Sequence, residues 1–186
     1  GVKPSANSDD VTINTGIVIN SDVDVNNIVI DARVTVKEGY SITANDLQQN
    51  SQLIVGSISD AFASVIATTL SGTGTLIYNR WLNDSPNNDL ISSPVSGVPF
   101  SSVAEASNNE DRFFINPSVA GNYFFGPFNN ATGSFETYTT PDDDAVVIGT
   151  GQGYRAATIA GAANTVRFVG NIEVGNVDID ITDGAH

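Results

Sequence analysis

The stretch that decides the fold is residues 11–58, VTINTGIVINSDVDVNNIVIDARVTVKEGYSITANDLQQNSQLIVGSI. It is built from apolar triplets, such as Ile17-Val18-Ile19, which are separated by short segments drawn mainly from Asn, Asp, Ser, Thr and Gly. Val and Ile favour strands, whereas Asn, Asp and Gly favour turns. At the start of the stretch the triplets recur at intervals shorter than the ~8–12 residues that are usual between hairpin strands. The pattern therefore predicts a β-solenoid of stacked short strands, with an antiparallel meander as the alternative.

The remainder of the chain has a different composition, because aromatic residues become frequent after residue 76. This shift predicts two regions, a β-solenoid-like stack over 1–72 and an antiparallel β-sandwich-like domain over 73–186. One short helix is expected near residues 103–106. The other apolar segments predict strands at 75–82, 113–115, 123–125, 135–138, 146–148, 153–158, 165–170 and 177–181. The predicted fold class is all-β.

The charge of the chain limits its partners. Twenty-one acidic residues against seven basic ones give a net charge of −14. Such a charge repels nucleic-acid phosphates and anionic lipids. No apolar run approaches the ~20 residues of a membrane-spanning helix. We therefore expect neither nucleic-acid binding nor membrane insertion.

The residue types available for catalysis are few. The chain has no cysteine, and its one histidine is the last residue, His186. A Ser-His-Asp triad, a Cys-His pair and a histidine zinc site are therefore not expected. Carboxylates are abundant, but many alternate with Val or Ile, as Asp24 and Asp178 do, which is typical of a solvated strand face. The sequence predicts no catalytic residues and no enzymatic activity.

Aromatic side chains supply the candidate ligand-binding residues, because flat exposed rings can stack on sugars. The candidates are Trp81, Tyr123, Tyr138 and Tyr154. The alternative is that these large rings form the core of the second region.

A calcium site is the other candidate. Asp142, Asp143 and Asp144 follow Pro141, and clustered carboxylates with backbone carbonyls can supply the six to eight oxygen ligands of Ca²⁺. The alternative is a solvated acidic loop. No cofactor is expected to be required.

Four blocks of the chain resemble, in order, a modular region of secreted and cell-surface proteins of Bacteroidetes. They are TLIYNRWL at 75–82, DLISSPV at 89–95, the hairpin from Phe124 to Tyr138, and GQGYRA at 151–156 with VRFVGNIEVGNV at 166–177. The chain departs from that family at Phe135, where Trp is usual, and at Gln152, where Lys is usual. The resemblance implies a solenoid stretch before a sandwich-like segment, export by a bacterial secretion system, and a position beside other domains of a long protein. It implies no particular catalytic activity.

These observations lead to three functional hypotheses. The leading one is a non-catalytic structural or adhesion module of a secreted bacterial protein, located at the cell surface and joined to neighbouring domains. The second is a carbohydrate-binding module that holds an attached hydrolase on its polysaccharide. The third is a small solenoid polysaccharide lyase, although the only basic residues within 11–58 are Arg33 and Lys37.

Overall fold

A computed structural model describes residues 9–84, 88–104, 115, 118–119, 121–159, 164–172, 174 and 176–178. Within these residues there are sixteen β-strands and one short helix, which confirms the all-β prediction. The chain divides into two compact units. Unit 1 comprises Gly1–Arg80 with Val169–Gly175, and unit 2 comprises Trp81–Phe168 with Asn176–His186.

Unit 1 contains the predicted solenoid, in which the chain passes alternately through two parallel sheets. The first sheet consists, in spatial order, of β1 (Asp10–Ile13), β3 (Val23–Ile30), β5 (Ser41–Gln49) and β7 (Ser64–Ser71). The second contains β2 (Ile17–Ile19), β4 (Val34–Val36), β6 (Leu53–Val55) and β8 (Leu76–Trp81), with β16 (Thr165–Ile172) on the far side of β8. Each coil thus contributes one strand to each sheet.

The sequence separation between paired residues of neighbouring coils is the same in the two sheets. Asp10 pairs with Asn27 in the first sheet and Ile17 pairs with Val34 in the second, and the separation along the chain is the same for both pairs. The separation grows at each of the next two steps, but at each step it is again equal in the two sheets. Because the strands stay aligned, the additional residues of the longer coils lie in the connections between the sheets.

The interior of the solenoid is a stack of aliphatic side chains. Ile17, Val34, Leu53 and Leu76 occupy equivalent positions in successive coils. The last three are buried, whereas Ile17 in the first coil is 41% exposed. Full burial of such a side chain contributes roughly 1.5–3 kcal/mol. Each inner coil therefore depends on its neighbours for most of its stability.

Two features of the solenoid differ from the sequence-based expectation. Asn26 and Asn27 form one of the polar segments between apolar triplets, for which a turn is expected, but they lie inside the eight-residue strand β3. Their amides bond to adjacent coils, since Asn45 Nδ2 donates to Asn26 Oδ1 at 2.9 Å and Asn27 Nδ2 donates to Asp10 Oδ1 at 2.7 Å. The solenoid also extends beyond residue 72, because β8 pairs in parallel with β6.

Unit 2 contains shorter, antiparallel strands. Its four-stranded sheet has the order β13 (Ser134–Phe135), β12 (Phe125–Asn129), β15 (Tyr154–Ala156) and β9 (Asp89–Ile91). A second pair joins β11 (Val98–Pro99) to β14 (Val147–Ile148), and β10 (Val95–Ser96) is a further two-residue strand. The helix α1 (Phe100–Ala104) begins a few residues before the predicted one. The strands β9 to β15 have only two to five residues.

Some sequence-based predictions fall on residues that the structure does not describe. The predicted strands at 113–115 and 177–181 lie mostly in this category, as does His186; Ile115 forms a single bridge with Tyr123. Among the residues that are described, no helix is long and apolar enough to cross a membrane.

Candidate functional site

Three of the four candidate aromatic residues lie in one buried cluster inside unit 2. Tyr123 and Tyr138 are each 8% exposed and Tyr154 is 1% exposed. The Tyr154 ring stacks on Phe125 with centroids 5.1 Å apart, and Phe100 contacts Tyr138 edge-on at 5.1 Å. This burial favours the interpretation that the tyrosines are core residues. Trp81, at the end of β8, is half-buried.

The tyrosine hydroxyls also have structural partners. Tyr154 Oη accepts a hydrogen bond from the Gly149 amide at 2.8 Å and donates one to Gln152 Oε1 at 3.0 Å. Burial raises the pKa of Tyr154, and it raises the pKa of Tyr138 to about 12, with further contributions from Tyr154 and two neighbouring carboxylates. Both phenols are therefore held in the neutral form.

The other face of the four-stranded sheet of unit 2 carries apolar side chains, of which Leu90 and Phe128 are exposed and Phe124 and Phe135 are half-buried. Alternation along β12 places Phe124 and Phe128 on the face away from buried Phe125. Phe128 pairs with Phe135 on β13, and the two rings meet edge-on with centroids 5.1 Å apart. Phe128 is 48% exposed. Leu90, which lies on β9 at the other edge of the sheet, is 66% exposed. We call this surface, consisting of Leu90, Phe124, Phe128, Phe135 and Arg155, the outer aromatic face.

Arg155 lies at the centre of the outer aromatic face. It pairs with Leu90 on one side and with Gly126 on the other. Its guanidinium carbon lies 4.0 Å from the ring centroid of Phe124 and 5.3 Å from that of Phe135, distances typical of cation–π contacts.

The polar contacts of Arg155 are sparse. One Nη donates to Thr137 Oγ1 at 3.4 Å, and Nε is buried without a hydrogen-bond partner among the described residues. Burial lowers the pKa of Arg155 from its usual value, although an arginine still remains charged at neutral pH. The face thus combines aromatic rings with one positive charge.

The three predicted calcium ligands lie in a tight turn. Asp143 Oδ2 accepts hydrogen bonds from the Thr139 amide at 2.7 Å and from Thr139 Oγ1 at 3.3 Å, so this carboxylate closes the turn. Asp142 is exposed, and Asp144 Oδ1 is buried without a hydrogen-bond partner among the described residues. The described part of the chain contains no group of three acidic or histidine side chains arranged to hold a metal ion. Calcium binding stays a prediction.

A polar depression of about 410 Å³ lies on the outer surface of the first solenoid sheet. Its central row consists of Asp10, Asn27, Asp46 and Thr69, which are aligned from coil to coil. Asn27 donates to Asp10, and Thr69 Oγ1 donates to Asp46 Oδ1. These side chains therefore bond to one another and tie adjacent coils together.

No protein-family model, curated protein or solved structure matches this chain. The resemblance to surface proteins of Bacteroidetes therefore stays a prediction.

The members of the outer aromatic face were not among the sequence-based candidates. Residue type alone selected the tyrosines, whereas strand alternation decides which rings are exposed. The signal available in the sequence was the pair Tyr154-Arg155, because a buried Tyr154 directs Arg155 to the opposite face of its strand.

Proposed function

We propose that the chain is a non-catalytic structural or adhesion module of a secreted bacterial protein, displayed outside the cell between or beside other domains. The observation that carries this proposal is the common register of the four coils in both solenoid sheets. A protein segment built in this way extends by one coil at a time, each adding the ~4.8 Å separation of neighbouring strands. Such a segment is suited to holding attached domains at a distance.

The side chains between coils support the same role. Asn50 Nδ2 donates to Asp31 Oδ1 at 2.7 Å, and both the amide and the hydroxyl of Ser41 donate to Asp22 Oδ1 at 3.0 Å. These bonds link residues one coil apart in the solenoid, so the polar surface reinforces the apolar interior. The acidic composition and the resemblance to bacterial surface proteins supply the proposed location.

Surface display tests this proposal. Bacteria that display the chain are compared with bacteria that display an unrelated domain of equal length, and cell aggregation and attachment to a surface are measured. Increased aggregation or attachment is expected. The purified chain is also incubated with a panel of polysaccharides, and no release of reducing ends is expected. Release that is abolished by substituting an Asp or Glu residue would establish an enzyme and contradict the proposal.

The outer aromatic face favours carbohydrate binding as the second candidate function. Exposed Phe128 and half-buried Phe135 offer ring surfaces for sugar C–H groups, and Arg155 offers hydrogen-bond donors beside them. A glycan array distinguishes the two candidates, because a purely structural module gives no specific signal.

A further inference from the structure

We infer that the outer aromatic face binds an acidic polysaccharide, with a sugar carboxylate at Arg155 and pyranose rings on Phe128 and Phe135. The inference rests on the second candidate function and specifies its ligand class. It concerns a surface of unit 2 that is separate from the buried tyrosines.

The charge of the face selects the class of sugar. The chain carries −14 overall, yet the centre of this face is a guanidinium stacked on Phe124 at 4.0 Å. A planar guanidinium presents paired donors that match the two oxygens of a carboxylate. A neutral sugar would use the rings but not the charge.

The size of the face favours a sugar chain over a protein partner. Phe128 is 48% exposed, and an aromatic side chain can bury ~150–250 Å², so each such ring offers on the order of 100 Å² for contact. Leu90 is also exposed, whereas Phe124, Phe135 and Arg155 are half-buried and offer less. The five side chains together then offer on the order of 300 Å², whereas a stable protein interface buries ~800 Å² on each partner. A few sugar units are a better match to this area.

The arrangement places the binding groups for the two parts of the ligand side by side. Phe128 and Phe135 pair across β12 and β13, and the guanidinium carbon of Arg155 lies 5.3 Å from the Phe135 ring centroid. Beside Arg155, the space over Gly126 is filled by backbone and not by a side chain, because a Cβ atom there would lie 2.2 Å from the Glu136 carbonyl oxygen. A repeating uronate polymer can place a ring on the aromatic pair and the carboxylate of a neighbouring unit at Arg155.

Two polymers that differ only in the methyl esterification of their carboxyl groups test the inference. Polygalacturonate and its fully methyl-esterified form are titrated separately into the whole chain by calorimetry. EDTA prevents divalent cations from bridging the acidic protein chain and the acidic polymer. At 0.15 M salt the Debye length is ~8 Å, so distant carboxylates are screened while direct contact with Arg155 is retained. Polygalacturonate is expected to bind, and the methyl ester is expected to bind about tenfold more weakly or worse.

Matched variants locate the site. Arg155→Gln and Phe128→Ala are each expected to weaken polygalacturonate binding about tenfold, whereas Ile66→Ala, at an exposed position of the solenoid, should leave it unchanged. Melting curves check that each variant is folded. Phe128→Ala and Leu90→Ser keep the test decisive if Arg155→Gln does not fold, because both positions are exposed.

Each other outcome contradicts the inference in a distinguishable way. Equal binding of the two polymers that Phe128→Ala weakens would retain carbohydrate binding and reject the acidic ligand. Binding of polyglutamate but not polygalacturonate, sensitive to Arg155→Gln, would identify a protein-like partner instead. The absence of binding to polygalacturonate and to the neutral polymers of the array would reject both the inference and the second candidate function, while leaving the structural role.

Discussion

Gly126 illustrates how closely the backbone packs at the outer aromatic face. A Cβ atom at this position would lie 2.2 Å from the Glu136 carbonyl oxygen, which is far inside van der Waals contact. Gly126→Ala must therefore separate β12 from the chain beside it, and we expect a loss of roughly 1–3 kcal/mol. Gly153→Ala is the matched control, because a Cβ there would meet no atom within 4 Å. Chemical denaturation measures both variants, and equal losses would contradict the argument.

Tyr138 makes the stability of unit 2 sensitive to alkaline pH. Its pKa is raised to about 12 from 10.0, first by burial and then by Tyr154, Glu136 and Asp143. The unfolded chain loses this proton above pH 10, whereas the folded chain retains it until about pH 12. The folded state binds more protons in this interval, so its stability should be complete below pH 10 and fall as the pH rises toward 12.

Melting temperatures between pH 9 and 12, together with the ultraviolet absorbance of tyrosinate, check this expectation. Tyr138→Phe removes one ionisable group and should flatten the pH dependence, with some stability lost at neutral pH. A parent chain whose melting temperature is constant over this interval would contradict the assignment.

At the scale of elements, the strands of the solenoid depend on side chains that alternate between interior and surface. Leu53 in β6 is fully buried between Val34 and Leu76, whereas the adjacent Ile54 faces outward and is half-buried. Leu53→Ala should cost about 2–5 kcal/mol because it leaves a cavity, and Ile54→Ala should cost clearly less. Urea unfolding of the two variants measures the difference. Similar costs would mean that the interior is not close-packed.

The solenoid was predictable because its signal is local and repeated. Triplets such as Ile17–Ile19 and Val34–Val36 recur in the sequence and become β2 and β4. The continuous strand β3 was not predictable, because Asn26 and Asn27 favour turns locally and only the adjacent coils satisfy their amides. The residues that bond to these amides lie about one coil away in the sequence.

The candidate site was less predictable for a related reason. Tyr123, Tyr138 and Tyr154 were selected by residue type, and the sequence left open whether they were core or surface. Their burial depends on the pairing of β12 with β15, which brings Phe125 and Tyr154 to the same side of the sheet. The strands concerned have only five and three residues, so alternation within each is a weak signal.

The charge of the whole molecule predicts a response to salt. At −14, repulsion among the carboxylates opposes folding, and monovalent salt should raise the melting temperature by screening it. Calcium at constant ionic strength should add a modest further increase if the acidic turn binds it, because a ligand of the folded state stabilises that state. A melting series in calcium measures this effect, and an unchanged melting temperature would show that the acidic residues act only as charged surface.

Variants of the acidic turn separate binding from structure. Asp143→Asn also weakens the bonds to Thr139, so it should lower stability even without calcium. Asp142→Asn, at an exposed position, changes the charge alone. The triple change of Asp142, Asp143 and Asp144 to Asn should abolish the calcium response if the turn is the site.

The equal advance of the two solenoid sheets has a consequence for how such a molecule evolves. Coils of unequal length stack in the same register, so the connections absorb the differences in length while the paired residues stay aligned. Because a coil contacts only its immediate neighbours, duplication of one coil in the gene would lengthen the protein without altering its cross-section. The length of the solenoid can therefore change under selection while its cross-section stays constant.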